Sequence, residues 1–191
     1  MSRAKRAARR AAGVLLAAGL LALGYAAYVV TDAKTYQATE LRRFEHARRE
    51  TAAAPALVDG GPIGEIRIPR LGLTAIFVQG DSAAILRRAV GHLAGTALPG
   101  ESGNVVLAGH RDTFFRPLKG VRVGDVITLN TRDGDFAYLV ESAAVVPPSD
   151  VGVLRPTDHR TLTLITCFPF AYVGRAPDRF IVRARETAGP R

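Results

Sequence analysis

The chain has 191 residues, with 26 Lys and Arg against 17 Asp and Glu, and its formal net charge is +9. Such a basic balance is typical of nucleic-acid binding, but the excess is unevenly placed. Residues 1–10 hold five basic residues and no acid, whereas residues 59–191 hold 16 basic and 13 acidic residues, a net +3. The main body is therefore close to neutral, which argues against a nucleic-acid partner. An apolar content of 48% excludes a disordered chain of low hydrophobicity.

Residues 11–30 (AAGVLLAAGLLALGYAAYVV) form a run of 20 without a charge or a proline. As a helix this run spans about 30 Å, the thickness of a bilayer's hydrocarbon core. The alternative is a cleaved signal peptide, whose apolar region is shorter, about 7–15 residues. We predict an uncleaved transmembrane anchor at 11–30. The basic tail at 1–10 indicates a cytoplasmic N-terminus and export of everything after Val30.

A helical stalk is expected to continue from the anchor. Residues 31–53 contain no Gly or Pro and carry charges at most positions around Leu41 and Phe44, which favours a solvated helix with His46 exposed. Ala54-Pro55 and the stretch 59–62 (DGGP) break the helical pattern. We assign residues 31–61 to this stalk and linker.

After Pro62, short apolar runs alternate with Gly, Pro, Asn and Asp. Seven runs are predicted as strands: Ile63–Ile68, Thr74–Val78, Asn104–Ala108, Val126–Asn130, Phe136–Ala144, Leu162–Thr166 and Phe180–Ala184. Asp81-Ser82 followed by AAILRRAV predicts a short capped helix, and Asp133-Gly134 predicts a hairpin tip. No helix-length segments alternate with the strands, so the expected fold is one all-β, mainly antiparallel domain over residues 62–186, closed or nearly closed as a barrel. Residues 187–191 form a short C-terminal tail.

The chain has a single cysteine, Cys167. In an oxidising compartment cysteines usually pair, so a lone one is either a buried inert thiol or a free reactive one. Cys167 ends the apolar run TLTLIT and is followed by Phe168-Pro169, where the proline stops strand pairing. A side chain at a strand end can reach a cleft. As a nucleophile it needs a base, and the developing oxyanion needs a fixed donor.

Three histidines are candidates for the base. His110 follows the apolar strand NVVLAG and opens a polar turn, a placement that mirrors that of Cys167. His92 lies in a glycine-flanked turn and is better interpreted as a structural imidazole, and His159 lies in a polar loop that is expected to be exposed. Chemistry alone favours His110 over His92 without excluding the latter.

Taken together, these motifs resemble those of the sortase family of cysteine transpeptidases, and class D sortases most of all. The likeness is carried by LAGHRDTFFRPL, by TLTLITC 57 positions after the histidine, and by the downstream APDRFIV. Supporting stretches are IGEIRIPRLGL, LRRAVGHLAGTALPG and VGDVITL, so the resemblance covers roughly residues 61–185.

The resemblance implies that the catalytic residues are Cys167, His110 and Arg179. Arg175 competes with Arg179 for the arginine role but lies within a loop instead of at the head of a strand. The fold implied is the closed eight-stranded sortase barrel with short helices. Because only seven strands are predicted from the pattern, we expect the eighth within Phe136–Val146 or around Leu93–Leu98. No metal or organic cofactor is implied.

By the same resemblance, the Cys167 thiolate attacks an LPxT-type sorting signal of a secreted protein and forms a thioacyl-enzyme. An amine, from a cell-wall precursor or a pilin lysine, then accepts the acyl group, with slow hydrolysis as a side reaction. Among secondary candidates, Thr166 is expected to orient substrate or an oxyanion, and Asp112 either orients His110 or caps the following turn. The loop 147–156 is expected to line the peptide groove through Val151, Val153 and Leu154.

Two other functions are considered. One is a catalytically silent, membrane-anchored β-barrel that binds peptide or envelope polymer, although such a module has no reason to keep Cys, His and Arg together. The other is an L,D-transpeptidase, which is disfavoured because its His and Cys lie close together in one motif.

Overall fold

The computed structural model describes residues 3–49, 58–172 and 174–188. It divides into two compact units, residues 1–36 and 37–191. The first belongs to helix α1 (Arg3–Arg49). In the described part of the chain, α1 is the one helix long and apolar enough to cross a membrane. Its most apolar stretch has a mean hydropathy of 2.0, and none of that stretch is buried.

The second unit is built on a closed β-barrel. Its eight strands, within the described residues, are β1 (Pro62–Ile68), β2 (Leu73–Gln79), β3 (Val90–His92), β4 (Asn104–Ala108), β5 (Val126–Thr131), β6 (Asp135–Val146), β7 (Thr161–Phe168) and β8 (Asp178–Ala188). They close in the order β1-β2-β3-β4-β7-β8-β6-β5. Adjacent strands are antiparallel except for β2 with β3 and β4 with β7, which are parallel. The predicted closed eight-stranded, mainly antiparallel barrel is confirmed.

Side chains that alternate along each strand between the inner and outer faces fill the barrel interior. In β7, Leu162 and Leu164 are fully buried in the core, while Thr163 between them lies on the outer face, where it is also buried. The interior is closed by large apolar side chains that are almost completely buried, among them Phe77, Phe115, Ile66, Ile127, Leu107, Leu129 and Tyr138.

All seven predicted strands are observed, each within a few residues of its predicted ends, and the hairpin between β5 and β6 turns at Asp133-Gly134 as expected. The prediction for the eighth strand is wrong, because β3 lies at Val90–His92, just before the expected region. The predicted helix begins as expected, with Ser82 Oγ accepting from Ile85 N at 3.3 Å, but α2 spans only Ala83–Leu86. It stops there because β3 pairs with β2 instead of continuing the helix.

The stalk is not wholly solvated. Gln37 Oε1 accepts from Ile76 N at 2.7 Å, and Gln37 Nε2 donates to Arg88 O at 2.8 Å. One side-chain amide thus joins the helix to β2, just before the part of β2 that pairs with β3. Phe44 is 4% exposed and Glu40 is 6% exposed, so the segment from Gln37 onward belongs to the second unit. The predicted linker at Ala54-Pro55 lies outside the described residues.

Candidate active site

The parallel pairing of β4 with β7 brings the ends of two distant segments to one edge of the barrel. Ala108 is the partner of Ile165, and Gly109 N donates to Ile165 O at 3.1 Å. His110 follows β4 by two residues, and Cys167 follows Ile165 by two. Since the carboxyl ends of parallel strands meet at the same edge, residues 57 positions apart in sequence become neighbours in the fold.

The antiparallel pairing of β7 with β8 supplies the arginine. Cys167 and Arg179 are direct cross-strand partners, and directly opposed residues have Cβ atoms only about 4.5–5.5 Å apart. The Arg179 guanidinium is held by the backbone just before it, since Nη1 donates to Asp178 O at 2.9 Å and, at longer range, to Ala176 O at 3.5 Å.

A cavity of about 330 Å³ lies where these three segments meet. It is lined by His110, Arg111, Asp112, Cys167, Gly174, Arg175, Ala176 and Arg179. Cys167, His110 and Arg179 are half-buried, whereas Asp112 and Arg175 are exposed. The structure thus brings together the predicted nucleophile, base and cation, and both of the arginines that competed for one role.

Thr166 faces away from this cavity. It is 2% exposed, and its hydroxyl donates to Gly109 O at 2.7 Å. Because Cys167 is the next residue, its side chain lies on the opposite face of β7. The Thr166 hydroxyl is therefore committed to the segment that carries His110, and it is not positioned to contact a substrate in the cavity.

The turn that carries His110 is closely packed. A Cβ atom at Gly109 would lie 2.8 Å from the ring of Phe115, and Phe115 is fully buried. Phe115 N also donates to His110 O at 3.0 Å. The glycine before the histidine was the sequence signal for this contact, because it allows an aromatic ring to approach the backbone of the turn.

The residues expected to line a peptide groove lie in the loop between β6 and β7. Val151 is 65% exposed, while Val153 and Leu154 are half-buried. Asn104 Nδ2 and Arg183 Nη2 donate to Val153 O at 3.0 and 3.3 Å. These anchors sit beside the first half of β7, so the three loop residues are separate from the cavity around Cys167.

An outward-facing strip of β7 joins that loop to the cavity. Thr163, Ile165 and Cys167 share the outer face, and the β8 partners of the last two are Ile181 and Arg179. Ile181 is 3% exposed although it faces outward. The partner of Thr163 is Arg183, so the strip has one sheltered apolar pair, Ile165 and Ile181, between two polar pairs.

The other two barrel histidines lie elsewhere. His92 is 2% exposed, with Nδ1 3.0 Å from the side-chain amide of Gln79 and Nε2 2.9 Å from Ala97 O. Burial lowers the pKa of His92 from its ordinary value, as expected for an enclosed imidazole with a structural role. His159 is exposed, as is His46 on α1.

Arg111 is a cavity residue that the sequence reasoning did not single out. Its Nη2 donates to Tyr172 O at 2.8 Å and to Gly174 O at 3.2 Å. Its guanidinium carbon also lies 5.7 Å from the centre of the Tyr172 ring, within the range of a cation–π contact. The residue after His110 is thereby bound to the loop between β7 and β8.

Comparison with known proteins places this geometry in a family. A family model described as the sortase domain matches residues 66–187. The chain belongs to the sortase family. It is 30% identical over 184 residues to sortase D of Bacillus subtilis (strain 168), covering 88% of this chain and 93% of that protein.

Solved structures agree with this assignment. A sortase D5 transpeptidase of Clostridium perfringens superimposes with a TM-score of 0.69 and 30% identity, covering 83% of this chain and 99% of that one. Sortase C of C. perfringens SM101 gives a TM-score of 0.63 and 27% identity, covering 86% and 96%. The closed barrel is thus the sortase fold, the chain is a sortase transpeptidase by family, and the apolar helix suits the membrane association of sortases.

Proposed function

We propose that this sortase is a membrane-anchored cysteine transpeptidase that cleaves an LPxT-type sorting signal in secreted proteins and transfers the acyl group to an amine. The observation that carries the proposal is the cavity at the ends of β4 and β7, which is lined by His110, Cys167 and Arg179. A nucleophile, a proton carrier and a fixed cation around one cavity are the groups that acyl transfer needs.

In the first half of the reaction, the thiolate of Cys167 attacks the threonine carbonyl carbon of the signal. The carbonyl electrons move to oxygen, and the tetrahedral oxyanion forms. When it collapses, the bond to the following residue breaks. His110 gives its proton to the departing amine, and the acyl group remains on Cys167 as a thioester.

In the second half, an incoming amine attacks the thioester carbonyl and passes a proton to His110. The thiolate leaves, and the amide product and the starting protonation state are restored together. A cell-wall precursor or a pilin lysine would supply the amine. Water attacking in its place yields slow hydrolysis as a side reaction.

Arg179 is assigned to the oxyanion or the adjacent substrate carbonyl. Its side chain arises directly opposite Cys167 in the β7–β8 ladder, and the loop carbonyl that holds Nη1 leaves the other guanidinium nitrogens for a ligand. A planar and permanently charged fork suits this role better than lysine. Arg175 is more exposed and lies within the loop, so we assign it no part in the bond-making steps.

The sorting signal is proposed to lie along the outer strip of β7. Val151, Val153 and Leu154 would form the wall of this groove at the end away from the cavity, with the scissile bond at Cys167. The anchoring of Val153 O by Asn104 and Arg183 supports a fixed wall. Thr166 would act from inside the barrel by holding Gly109, and thus His110, in position.

The proposed topology follows the charge pattern. Residues 1–10 would remain cytoplasmic, 11–30 would cross the membrane once, 31–61 would form the stalk and linker, and 62–186 would be the extracytoplasmic catalytic domain before a tail at 187–191. Exposure of the apolar side chains along α1, such as Leu15 at 73% and Leu21 at 76%, supports a lipid-facing segment.

The experiment is incubation of the full chain in detergent micelles with an LPxT-type peptide and a primary amine, followed by mass spectrometry of peptide and protein. We expect the cleaved peptide joined to the amine and a thioester adduct on Cys167. Cys167→Ala should bind the peptide but give neither product. If the native chain binds peptide without cleavage or adduct, the enzyme proposal fails and the silent binding barrel takes its place.

A further inference from the structure

We infer that Arg111 is a positioning residue that fastens the β7–β8 loop (residues 169–177) to the turn carrying His110, and that it thereby fixes the catalytic base relative to the catalytic arginine. The inference rests on the proposed function, because it assigns a role within the same reaction. It concerns a side chain that is assigned no proton or acyl transfer of its own.

The catalytic groups lie on separate strands. His110 follows β4, whereas Arg179 is the second residue of β8 and is reached from Cys167 through the β7–β8 loop. That loop contributes Gly174, Arg175 and Ala176 to the cavity wall. Without a link between the two segments, a shift of the loop would therefore move one side of the cavity while the His110 side stayed in place.

Arg111 spans this gap with three contacts. Nη2 donates to two loop carbonyls, those of Tyr172 at 2.8 Å and Gly174 at 3.2 Å. The guanidinium also packs 5.7 Å from the Tyr172 ring centre. Because Arg111 directly follows His110, a displacement of the loop would also displace the backbone of His110.

The contacts suit arginine and not lysine. One terminal nitrogen binds two carbonyls while the planar group lies near an aromatic ring, and a single ammonium on a flexible stem does not reproduce that combination. The loop conformation is matched to it. Gly174 has φ +100°, a value that other residues rarely adopt, and this sets the direction of the carbonyl that Arg111 binds.

The test compares Arg111→Lys and Arg111→Ala with Arg116→Ala, which removes an exposed arginine from the same connection after β4. Steady-state kinetics with the LPxT-type peptide and an amine would be measured on the full chain in micelles. Hydrogen exchange of the loop amides at 174–176 would be followed in parallel. We expect both Arg111 variants to lose kcat by on the order of 10²-fold, as for a misplacement of about 1 Å, with little change in KM.

A second variant reaches the same contact from the other side. Gly174→Ala adds a Cβ that meets nothing within 4 Å, so its effect comes from the backbone alone. We expect it to lower kcat in the same direction and to add little to the loss in the Arg111→Ala background, because both changes release the same contact. Loop amides should exchange faster in each variant and stay unchanged in Arg116→Ala.

Three outcomes separate the possibilities. If Arg111→Ala loses thermal stability but the folded protein keeps its kcat, Arg111 is only structural and the inference is overturned. Unchanged hydrogen exchange of the loop amides in Arg111→Ala would overturn it as well. A native chain without transpeptidation would instead defeat the proposed function. The exchange measurement would still report on the contact between Arg111 and the loop, so the two failures are distinguishable.

Discussion

Replacement of Thr166 by valine isolates the hydrogen bond that ties the cysteine strand to the histidine turn. Valine keeps the shape of threonine and removes the hydroxyl that donates to Gly109 O at 2.7 Å. Thr166 is 2% exposed, so water does not replace the lost donor. A buried carbonyl left without a partner costs about 1–3 kcal/mol.

In a domain of this size each kcal/mol lowers the melting temperature by roughly 2–4 °C, so Thr166→Val should melt roughly 2–12 °C below the native protein. The catalytic effect is separate, because Gly109 precedes His110 directly. A small displacement of the base should reduce kcat/KM by on the order of 10- to 10²-fold. Thr166→Ser keeps the hydroxyl and should restore most of the activity.

The matched control is Thr131→Val at the end of β5. Thr131 is 4% exposed, and its hydroxyl donates to Gly134 O at 3.0 Å, in the hairpin between β5 and β6. Melting by circular dichroism and kinetics with an LPxT-type peptide would be measured on both variants. Both should lose stability, but only Thr166→Val should lose activity. Equal kcat/KM in the two variants would refute the positioning role of Thr166.

Two other predictions concern stability. Phe44→Ala removes the buried ring of the helical segment and should lower the free energy of unfolding by about 3 kcal/mol. The control Glu45→Ala changes an exposed neighbour and should leave that free energy unchanged. Equal melting temperatures of the two variants in differential scanning calorimetry would show that the segment does not stabilise the barrel unit. Burial lowers the pKa of His92, so the unfolded chain binds a proton more readily than the folded one, and stability should fall as the pH drops below about 6.5. His92→Gln should make the melting temperature less dependent on pH between 5 and 7, and the exposed His159→Gln should not; an unaltered slope in His92→Gln would contradict the assignment.

Most of the barrel was predictable because its strands are long enough to show their pattern. In Asn104–Ala108, four apolar residues follow the asparagine and Gly109 ends the run, and the predicted and observed bounds coincide. β3 has only Val90, Gly91 and His92. Three residues show no periodicity, and they follow a helical pattern directly, so tertiary pairing with β2 decided their structure.

The stalk is helical as predicted, but the expectation that it is solvated was wrong for a related reason. Leu41 and Phe44 alone make too narrow an apolar stripe to indicate a docked helix. The segment is joined to β2 by a polar group, the amide of Gln37, which bonds both Ile76 N and Arg88 O. A glutamine in a charged helix gives no sequence signal of an unpaired strand edge elsewhere in the chain.

In the candidate site, too, the sequence predicted some features and not others. The residue types and motifs singled out Cys167, His110 and Arg179, but their proximity depends on which strands pair, and single-sequence patterns do not report that. The inward side of Thr166 could be derived from alternation once the strand was known. The contacts of Arg111 could not, because they join two loops whose course is set by the barrel.

The position of β7 between β4 and β8 has a consequence for biogenesis. Because β7 is parallel to β4, the chain must complete the whole of β5 and β6 before the cysteine strand can be inserted beside the histidine strand. Contacts between residues so far apart in sequence form slowly and late. Until the last two strands close the barrel, Cys167 therefore lacks His110 and Arg179 as neighbours, and the cavity proposed for acyl transfer forms only at that closure.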